Sequence, residues 1–184
     1  FVTENLPSNL ESWLENYNIA YADLTNGKQK VAEPRLLTRA AFPEKVNPML
    51  GNINWDQGAP YYDACPLVKG QRSVTGCVAT AMAMIMKYHN YPVKGKGAYS
   101  YETSSGIKCS FDYGNTTFDW DNMLPEYING NYITEQANAV AELMYACGVA
   151  VEMGYSPSGS GAYSHRVGQA LIDYFGYHKN LGYI

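Results

Sequence analysis

Cys77 is the residue of this sequence best placed to act as a nucleophile. It follows Gly76 and opens a run rich in Ala and Met that predicts a long buried helix. The unpaired N–H groups and the dipole of a helix N-terminus favour a thiolate, and a preceding glycine lets a substrate backbone come close. A free cysteine is also commonly a small packed side chain, so position alone leaves both interpretations open.

A thiolate nucleophile needs a base, and the sequence contains three histidines, His89, His165 and His178. His89 lies twelve residues beyond Cys77 on the same predicted helix, which corresponds to roughly 18 Å of rise and about 120° of rotation. It therefore cannot bond to the thiol, and we expect it to cap the helix C-terminus, where a positive imidazole is favoured. We interpret the other two histidines as surface residues, because nothing in their spacing marks them.

The helix that carries Cys77 is predicted over residues 77–89, since no helix breaker occurs before Tyr91-Pro92. Its apolar character places it in the middle of a domain. Upstream of it, residues 54–62 are turn-rich and aromatic, which favours an ordered loop packed against the core.

Shorter elements are predicted downstream. In chain order they are an irregular stretch or short hairpin over 94–118, a short helical turn at Trp120, a helix from a Thr134 cap to a stop at Gly148, a strand over Val149–Tyr155, a small-residue loop over 156–163 and a helix over Ser164–Phe175.

The first forty residues have a different character. Ser8 and Glu11 form a capping box, which predicts the start of a helix. Residues 22–41 then lose periodicity and collect basic side chains, which is typical of an exposed linker that proteases cut. The candidate cleavage points are Lys28, Lys30 and Arg39.

Length and composition exclude several classes of protein. The 184 residues suit one main core, and 13 basic against 17 acidic residues give a net charge of −4, so we expect no nucleic acid partner. Apolar stretches such as Ala79–Met86 are too short to span a membrane. The many Tyr, Gly and Asn residues with few charges are common in secreted bacterial proteins.

The four cysteines predict neither a metal site nor a redox motif. Cys65, Cys77, Cys109 and Cys147 are separated by 12, 32 and 38 residues, which matches neither a zinc site nor a dithiol motif. No cofactor is expected, and a metal-dependent enzyme is disfavoured because no His, Cys and carboxylate cluster has ligand spacing.

Several segments resemble the streptopain family of papain-like cysteine peptidases. The run Thr75–Ala81, followed by Ile85–Pro92, is similar to the nucleophile helix of that family. Further similarity lies at residues 54–61, 120–125 and 155–160. The resemblance implies an α+β, papain-like fold, mainly its helical lobe, with the β-rich half missing or on another chain.

The resemblance also implies roles for individual residues. Cys77 would be the nucleophile that forms a thioester with a peptide or protein substrate, and Gln57 would stabilise the oxyanion together with the Cys77 N–H. Without the family match, we would interpret Gln57 as a residue whose side-chain amide orders its own loop. The residues implied to border the substrate are Gly76, Ser158, Gly159, Ser160 and Gly161, although a plain flexible loop fits the last four nearly as well.

The same resemblance divides the chain into two parts. Residues 1–39 would be the C-terminal part of a propeptide with its activation linker, and residues 40–184 the N-terminal half of the catalytic domain, so we expect a zymogen cleaved between Arg39 and Ala40. The family's catalytic histidine, in a Gly-His context, and its Trp-rich segment have no counterpart here. We therefore expect a second polypeptide that carries the other half.

Two functions remain open at this point. One is a secreted bacterial cysteine endopeptidase, extracellular, periplasmic or at the cell surface. The other is a non-catalytic binding or inhibitory protein that keeps the helical lobe and retains Cys77 as a packed thiol.

Overall fold

Two packed helices and a β-hairpin surround one apolar core in the computed structural model, which describes residues 47–181. The predicted helix from Ser8, the basic linker and the Arg39–Ala40 cleavage point lie outside the described residues. The elements, in chain order, are β1 (Leu67–Val68), β2 (Gln71–Arg72), α1 (Cys77–His89), β3 (Ala98–Glu102), β4 (Lys108–Asp112), a 3-10 turn (Trp120–Asn122), α2 (Thr134–Ala150) and α3 (Arg166–Asp173).

Helix α1 has the bounds that the sequence predicts. It ends at His89, and the C-cap residue Asn90 adopts a left-handed conformation (φ 45°) and donates its backbone N–H to the Lys87 carbonyl at 3.1 Å. One face of α1 is buried, and Met82, Ala83 and Met86 on it are at most 2% exposed. The helix is less buried than we expect for a position in the middle of a domain, because its side chains Ile85 and Tyr88 are 39% and 46% exposed.

Helix α2 has Thr134 as its first residue, so the predicted Thr134 cap is wrong, and the predicted stop at Gly148 is wrong as well. The N-cap residue is Ile133, whose N–H donates to the side chain of Gln136 at 3.0 Å, and the helix continues through Gly148 to Ala150. Gly148 is explained by packing, because a Cβ atom there would lie 2.1 Å from the hydroxyl oxygen of Tyr155.

The predicted strand over Val149–Tyr155 is also wrong. Val149 and Ala150 form the last residues of α2, a turn follows, and one antiparallel bridge joins Gly154 to Gly161. From Val151 to Tyr155, buried apolar residues alternate with half-buried Glu152 and exposed Gly154, so the period-two pattern typical of a strand is present, although within the described part of the chain the segment forms only this one bridge.

The sequence predicts either an irregular stretch or a short hairpin over 94–118, and the structure has a hairpin over residues 98–112. Strands β3 and β4 pair antiparallel with Tyr101 opposite Cys109 and Tyr99 opposite Phe111. The hydroxyl group of Tyr101 donates to the Met153 carbonyl at 2.6 Å and so ties the hairpin to the segment that follows α2.

The remaining predictions agree with the structure apart from element ends. The Trp120 turn is a 3-10 helix, and the loop over 54–62 is anchored by the Trp55 indole N–H, which donates to the Leu124 carbonyl at 2.9 Å. Helix α3 is two residues shorter at each end than predicted, a common uncertainty for helix termini.

The contact between α1 and α2 forms the centre of the core. Met82 and Met86 from α1 are buried with Leu143, Met144 and Cys147 from α2, and the sulfur atoms of Met86 and Cys147 are 3.7 Å apart. Flexible methionine side chains fill irregular gaps between helices. The N-terminus of α1 is thereby held on a fixed support.

We predict that Gly148→Ala destabilises the protein by about 1–3 kcal/mol, the usual cost of overpacking a core. The rigid, buried ring of Tyr155 cannot move away from the added methyl group. The free energy of unfolding measured in urea tests this expectation.

Gly168→Ala is the matched control, because Gly168 lies within α3 and nothing is within 4 Å of a Cβ atom built there. That variant should gain roughly 0.5–1 kcal/mol from helix propensity. Equal effects of the two substitutions would show that the Tyr155 contact does not restrict residue 148.

Candidate active site

Cys77 is the first residue of α1, and it is exposed, whereas Cys65, Cys109 and Cys147 are buried. No side chain caps this helix N-terminus and no acidic residue lies in the first turn. Within residues 47–181, the backbone N–H of Cys77 has no acceptor. The unpaired N–H groups at a helix start favour a negative charge beside them, so this position suits a thiolate or a developing oxyanion.

Gly76 adopts a conformation that only glycine enters easily, with φ 87° and ψ 140°. A Cβ atom on Gly76 would lie 2.6 Å from the sulfur of Met153 and 3.0 Å from the Ser160 carbonyl oxygen. Both backbone angle and close packing therefore require glycine immediately before Cys77.

A pair of buried threonines fixes the start of α1. The hydroxyl oxygens of Thr75 and Thr80 are 2.8 Å apart, and Thr80 donates its hydroxyl proton to the Gly76 carbonyl at 3.0 Å. Sequence reasoning missed this pair. Its one signal was a threonine four residues after the N-cap, from where a hydroxyl often bonds back to the preceding turn.

The loop that carries Gln57 lies beside the segment that leads into Cys77. The backbone N–H of Thr75 donates to the Gln57 carbonyl at 3.4 Å, which joins the two segments two residues before Cys77. The Gln57 side chain is half-buried, and its amide has no hydrogen-bond partner among the described residues. Its N–H groups therefore remain free to donate to a ligand.

The small-residue loop meets the same segment from another side. The Val74 N–H donates to the Ser156 carbonyl at 3.3 Å, and the Ser160 hydroxyl donates to the Val74 carbonyl at 2.6 Å. Ser158, Gly159 and Gly161 are exposed on this loop. The structure thus places the Gln57 loop and the small-residue loop beside the segment 74–77, which contains Gly76 and Cys77.

An open groove of about 340 Å³ runs between this loop and the β1–β2 hairpin. Its lining residues are Val68, Lys69, Gln71, Pro157 and Ser158. A larger concavity of about 620 Å³ lies elsewhere, lined by acidic residues that include Asp63 and Glu142, and neither Cys77 nor Gln57 contributes to it.

Burial keeps the other three thiols in their protonated form. Burial raises the pKa of Cys65 to about 12 and also raises the pKa of Cys109 and Cys147 above their usual range. These three groups therefore stay protonated at neutral pH and are poor nucleophiles.

Among the described residues, no hydrogen bond joins Cys77 to any of the three histidines. His89 lies in the last turn of α1, at the opposite end from Cys77, and its ring packs edge-on against Tyr88 with centroids 4.9 Å apart. The prediction that His89 caps the helix is wrong, because the backbone of Asn90 closes the helix end. His165 and His178 are both exposed, as predicted.

In the described part of the chain, no group of three His, Cys, Asp or Glu residues is arranged to hold a metal ion. No helix between residues 47 and 181 combines the length and apolar character needed to cross a membrane.

The fold is that of a papain-like cysteine peptidase. Active interpain A of Prevotella intermedia matches with a TM-score of 0.63 and 46% identity, covering 68% of this chain and 53% of that protein. A fragment of prointerpain A from the same organism matches with a TM-score of 0.69 and 38% identity, covering 96% of this chain and 57% of the fragment.

The sequence profile of the peptidase C10 family matches residues 55–184, so the chain belongs to this family. Streptopain of Streptococcus pyogenes is 35% identical over 202 aligned residues, and the thiol protease/hemagglutinin PrtT of Porphyromonas gingivalis is 32% identical over 197. The alignments cover 97% and 100% of this chain but 47% and 22% of the two relatives. The chain therefore spans about half the length of streptopain.

We predict that Gly76→Ala destabilises the protein by more than Gly70→Ala does. Both glycines have positive φ, 87° and 80°, but only Gly76 has atoms within 4 Å of an added Cβ. The backbone strain alone costs about 1–2 kcal/mol, and the contact with Met153 and Ser160 should add about 1–3 kcal/mol.

Urea unfolding of both variants measures the difference. Equal losses would mean that the Met153 side chain and the Ser160 backbone adjust to the methyl group, and that Gly76 is needed for its conformation alone.

Proposed function

We propose that this chain is part of a secreted bacterial cysteine endopeptidase, made as a zymogen, which hydrolyses peptide bonds through a thioester on Cys77. The observation that carries the proposal is the exposed thiol at the uncapped N-terminus of a helix whose opposite face is buried. The family membership supports it, since relatives of this chain are cysteine proteases.

The first step would be attack of the Cys77 thiolate on the carbonyl carbon of the scissile peptide bond. The carbonyl oxygen becomes negative in the tetrahedral intermediate, and two donors are available for it, the Cys77 N–H and the amide of Gln57. Preorganised donors of this kind lower the barrier because they need no rearrangement as charge develops.

The second step would expel the amine and leave an acyl group on the sulfur. The leaving nitrogen takes a proton from an imidazolium, and the resulting imidazole then removes a proton from water, which hydrolyses the thioester and regenerates the thiolate. We assign this imidazole to a segment outside these 184 residues, because His89 lies at the far end of α1 and neither His165 nor His178 is hydrogen-bonded to Cys77.

The exposed stripe of α1 is the proposed docking face for that segment. Cys77, Ala81, Ile85 and Tyr88 follow one another at helical spacing and are all exposed. The stripe begins at the nucleophile itself, so a polypeptide that covers it would bring its own side chains beside the thiol. About half of the length of active interpain A and of streptopain lies outside the alignments, which is enough chain for a second half-domain.

Proteins and peptides are the proposed substrates. The groove between the β1–β2 hairpin and Ser158 borders the loop that bonds to Val74 and would receive part of the substrate chain. Exposed Gly159 and Gly161 leave room for a peptide backbone along the loop.

The zymogen part of the proposal places a propeptide at residues 1–39, released by cleavage between Arg39 and Ala40. It is supported by the two solved relatives, because the proenzyme fragment aligns with 96% of this chain whereas the active enzyme aligns with 68%. Secretion is supported by the composition, which is rich in Tyr and Gly and poor in charged residues.

Alkylation by iodoacetamide at mildly acidic pH tests the role of Cys77. In the enzyme isolated with its second half, Cys77 should react on the order of tenfold faster than a free cysteine derivative, because a helix N-terminus and a partner imidazole favour the thiolate. Cys65, Cys109 and Cys147 are internal controls and should stay unmodified until the protein is unfolded. Peptide mapping by mass spectrometry identifies the modified thiol.

Reaction of Cys77 no faster than the free thiol, together with no peptide hydrolysis, would contradict the proposal. It would favour a non-catalytic binding or inhibitory protein instead. Mass spectrometry of the same material for sequence beyond Ile184 establishes whether the second half is present.

Ile85→Glu tests the docking face. Placing a carboxylate where an apolar partner packs should weaken docking by at least about 2 kcal/mol, and so reduce both the thermal midpoint of the complete enzyme and its peptidase activity. Differential scanning fluorimetry and hydrolysis of a fluorogenic peptide measure the two effects.

Ile128→Glu is the matched control, because Ile128 is 49% exposed and lies in the loop that precedes α2, outside the stripe on α1. It should leave both quantities unchanged. If Ile85→Glu is equally silent, the stripe on α1 faces solvent in the complete enzyme.

A further inference from the structure

Ser160 differs from the other residues of the small-residue loop because its hydroxyl group is directed into the protein. The residue is 9% exposed. Its hydroxyl donates to the Val74 carbonyl at 2.6 Å and accepts the Ser156 N–H at 3.0 Å, with the Ser156 carbonyl a further 3.2 Å away. The single proton and an acceptor position of the hydroxyl are therefore used within the protein, and a substrate would have to compete for them.

These bonds hold the segment that leads into α1. Val74 is fixed at both of its backbone polar groups by the loop, since its carbonyl accepts from Ser160 and its N–H donates to the Ser156 carbonyl at 3.3 Å. Val74 lies three residues before Cys77. The loop therefore restrains the backbone immediately ahead of the nucleophile.

A second contact connects the same residue to the N-cap of α1. The Ser160 carbonyl oxygen lies 3.0 Å from the position of a Cβ atom on Gly76, so the two backbones are in close contact. The ψ angle of Gly76, 140°, sets the plane of the peptide bond that carries the Cys77 N–H. A shift of the loop would therefore be transmitted to the direction of that N–H.

We infer that Ser160 is a positioning residue that aims the Cys77 N–H at the substrate oxyanion, by tying the 156–161 loop to Val74 and packing on Gly76. The inference rests on the proposed peptidase function and gives this serine a role distinct from direct substrate contact. Loss of the Ser160 hydroxyl group should weaken the stabilisation of the negative carbonyl oxygen, and should change the nucleophilicity of the sulfur much less.

The chain offers a matched control in Ser73. This serine is fully buried one residue before Val74, and its hydroxyl oxygen has no hydrogen-bond partner among the described residues. Ser73→Ala also removes a serine hydroxyl oxygen at comparable burial, from the segment to which Ser160 bonds, without breaking a bond to Val74.

The experiment compares Ser160→Ala and Ser73→Ala in the complete, activated enzyme by three measurements. The first is kcat and KM for a peptide substrate. The second is inhibition by a peptide aldehyde, to which the thiol adds to give a hemithioacetal whose oxygen occupies the oxyanion position. The third is alkylation by iodoacetamide, in which the sulfur displaces iodide from a saturated carbon and no oxyanion forms.

For Ser160→Ala we expect kcat to fall about tenfold with KM within about twofold, and the aldehyde to bind about tenfold more weakly, because misdirected donors lose transition-state stabilisation. The rate of alkylation should stay within about twofold of the wild type. Gln57→Ala should show the same pattern, and Ser73→Ala should change none of the three.

Unchanged kcat and aldehyde affinity in Ser160→Ala would overturn the inference while leaving the peptidase function intact. A parallel loss of aldehyde binding, alkylation rate and thermal midpoint would also overturn it, since that pattern reports general unfolding of the site. Absence of peptide hydrolysis by the wild-type enzyme with its second half present would overturn the proposed function itself.

Discussion

The site depends on how the backbone enters helix α1. A helix start normally satisfies some of its free N–H groups with a capping side chain, and here Gly76 provides none. The N–H groups at this end remain available to a ligand, and the missing cap is compensated by bonds slightly farther away, from Thr75, Thr80 and the 156–161 loop. The arrangement gives up the stability of a capping side chain and leaves backbone N–H groups beside the thiol.

The core explains why this end can stay in place without a cap. The buried face of α1 packs on α2 through methionine side chains, while the β3–β4 hairpin is bound to the segment after α2 through Tyr101. That segment contains Met153, which touches Gly76, and leads into Tyr155 and the small-residue loop. Gly148 makes the connection possible, because it leaves space within α2 for the Tyr155 ring. Residues far apart in sequence thus converge on one backbone position.

The sequence was informative where a pattern is local. The Ala- and Met-rich run gave the bounds of α1, and the family resemblance singled out Cys77 and the loops that the structure brings beside it. It failed where the determining contact is distant. Gly148 is interpreted as a helix stop until the Tyr155 ring is placed against it, and the alternating pattern of Val151–Tyr155 predicts a strand although no partner strand lies beside it among the described residues. The inward direction of the Ser160 hydroxyl likewise follows from Val74, which is 86 residues away.

The different depths of the four thiols have a consequence for redox chemistry. Cys65, Cys109 and Cys147 are buried in the interior as protonated groups, so among the four thiols a mild oxidant meets that of Cys77 first. Formation of a sulfenic acid or a mixed disulfide there leaves the core undisturbed and is reversed by a small thiol. Because Cys77 is exposed at the helix start, its sulfur is accessible to a substrate and can also be blocked reversibly by oxidation.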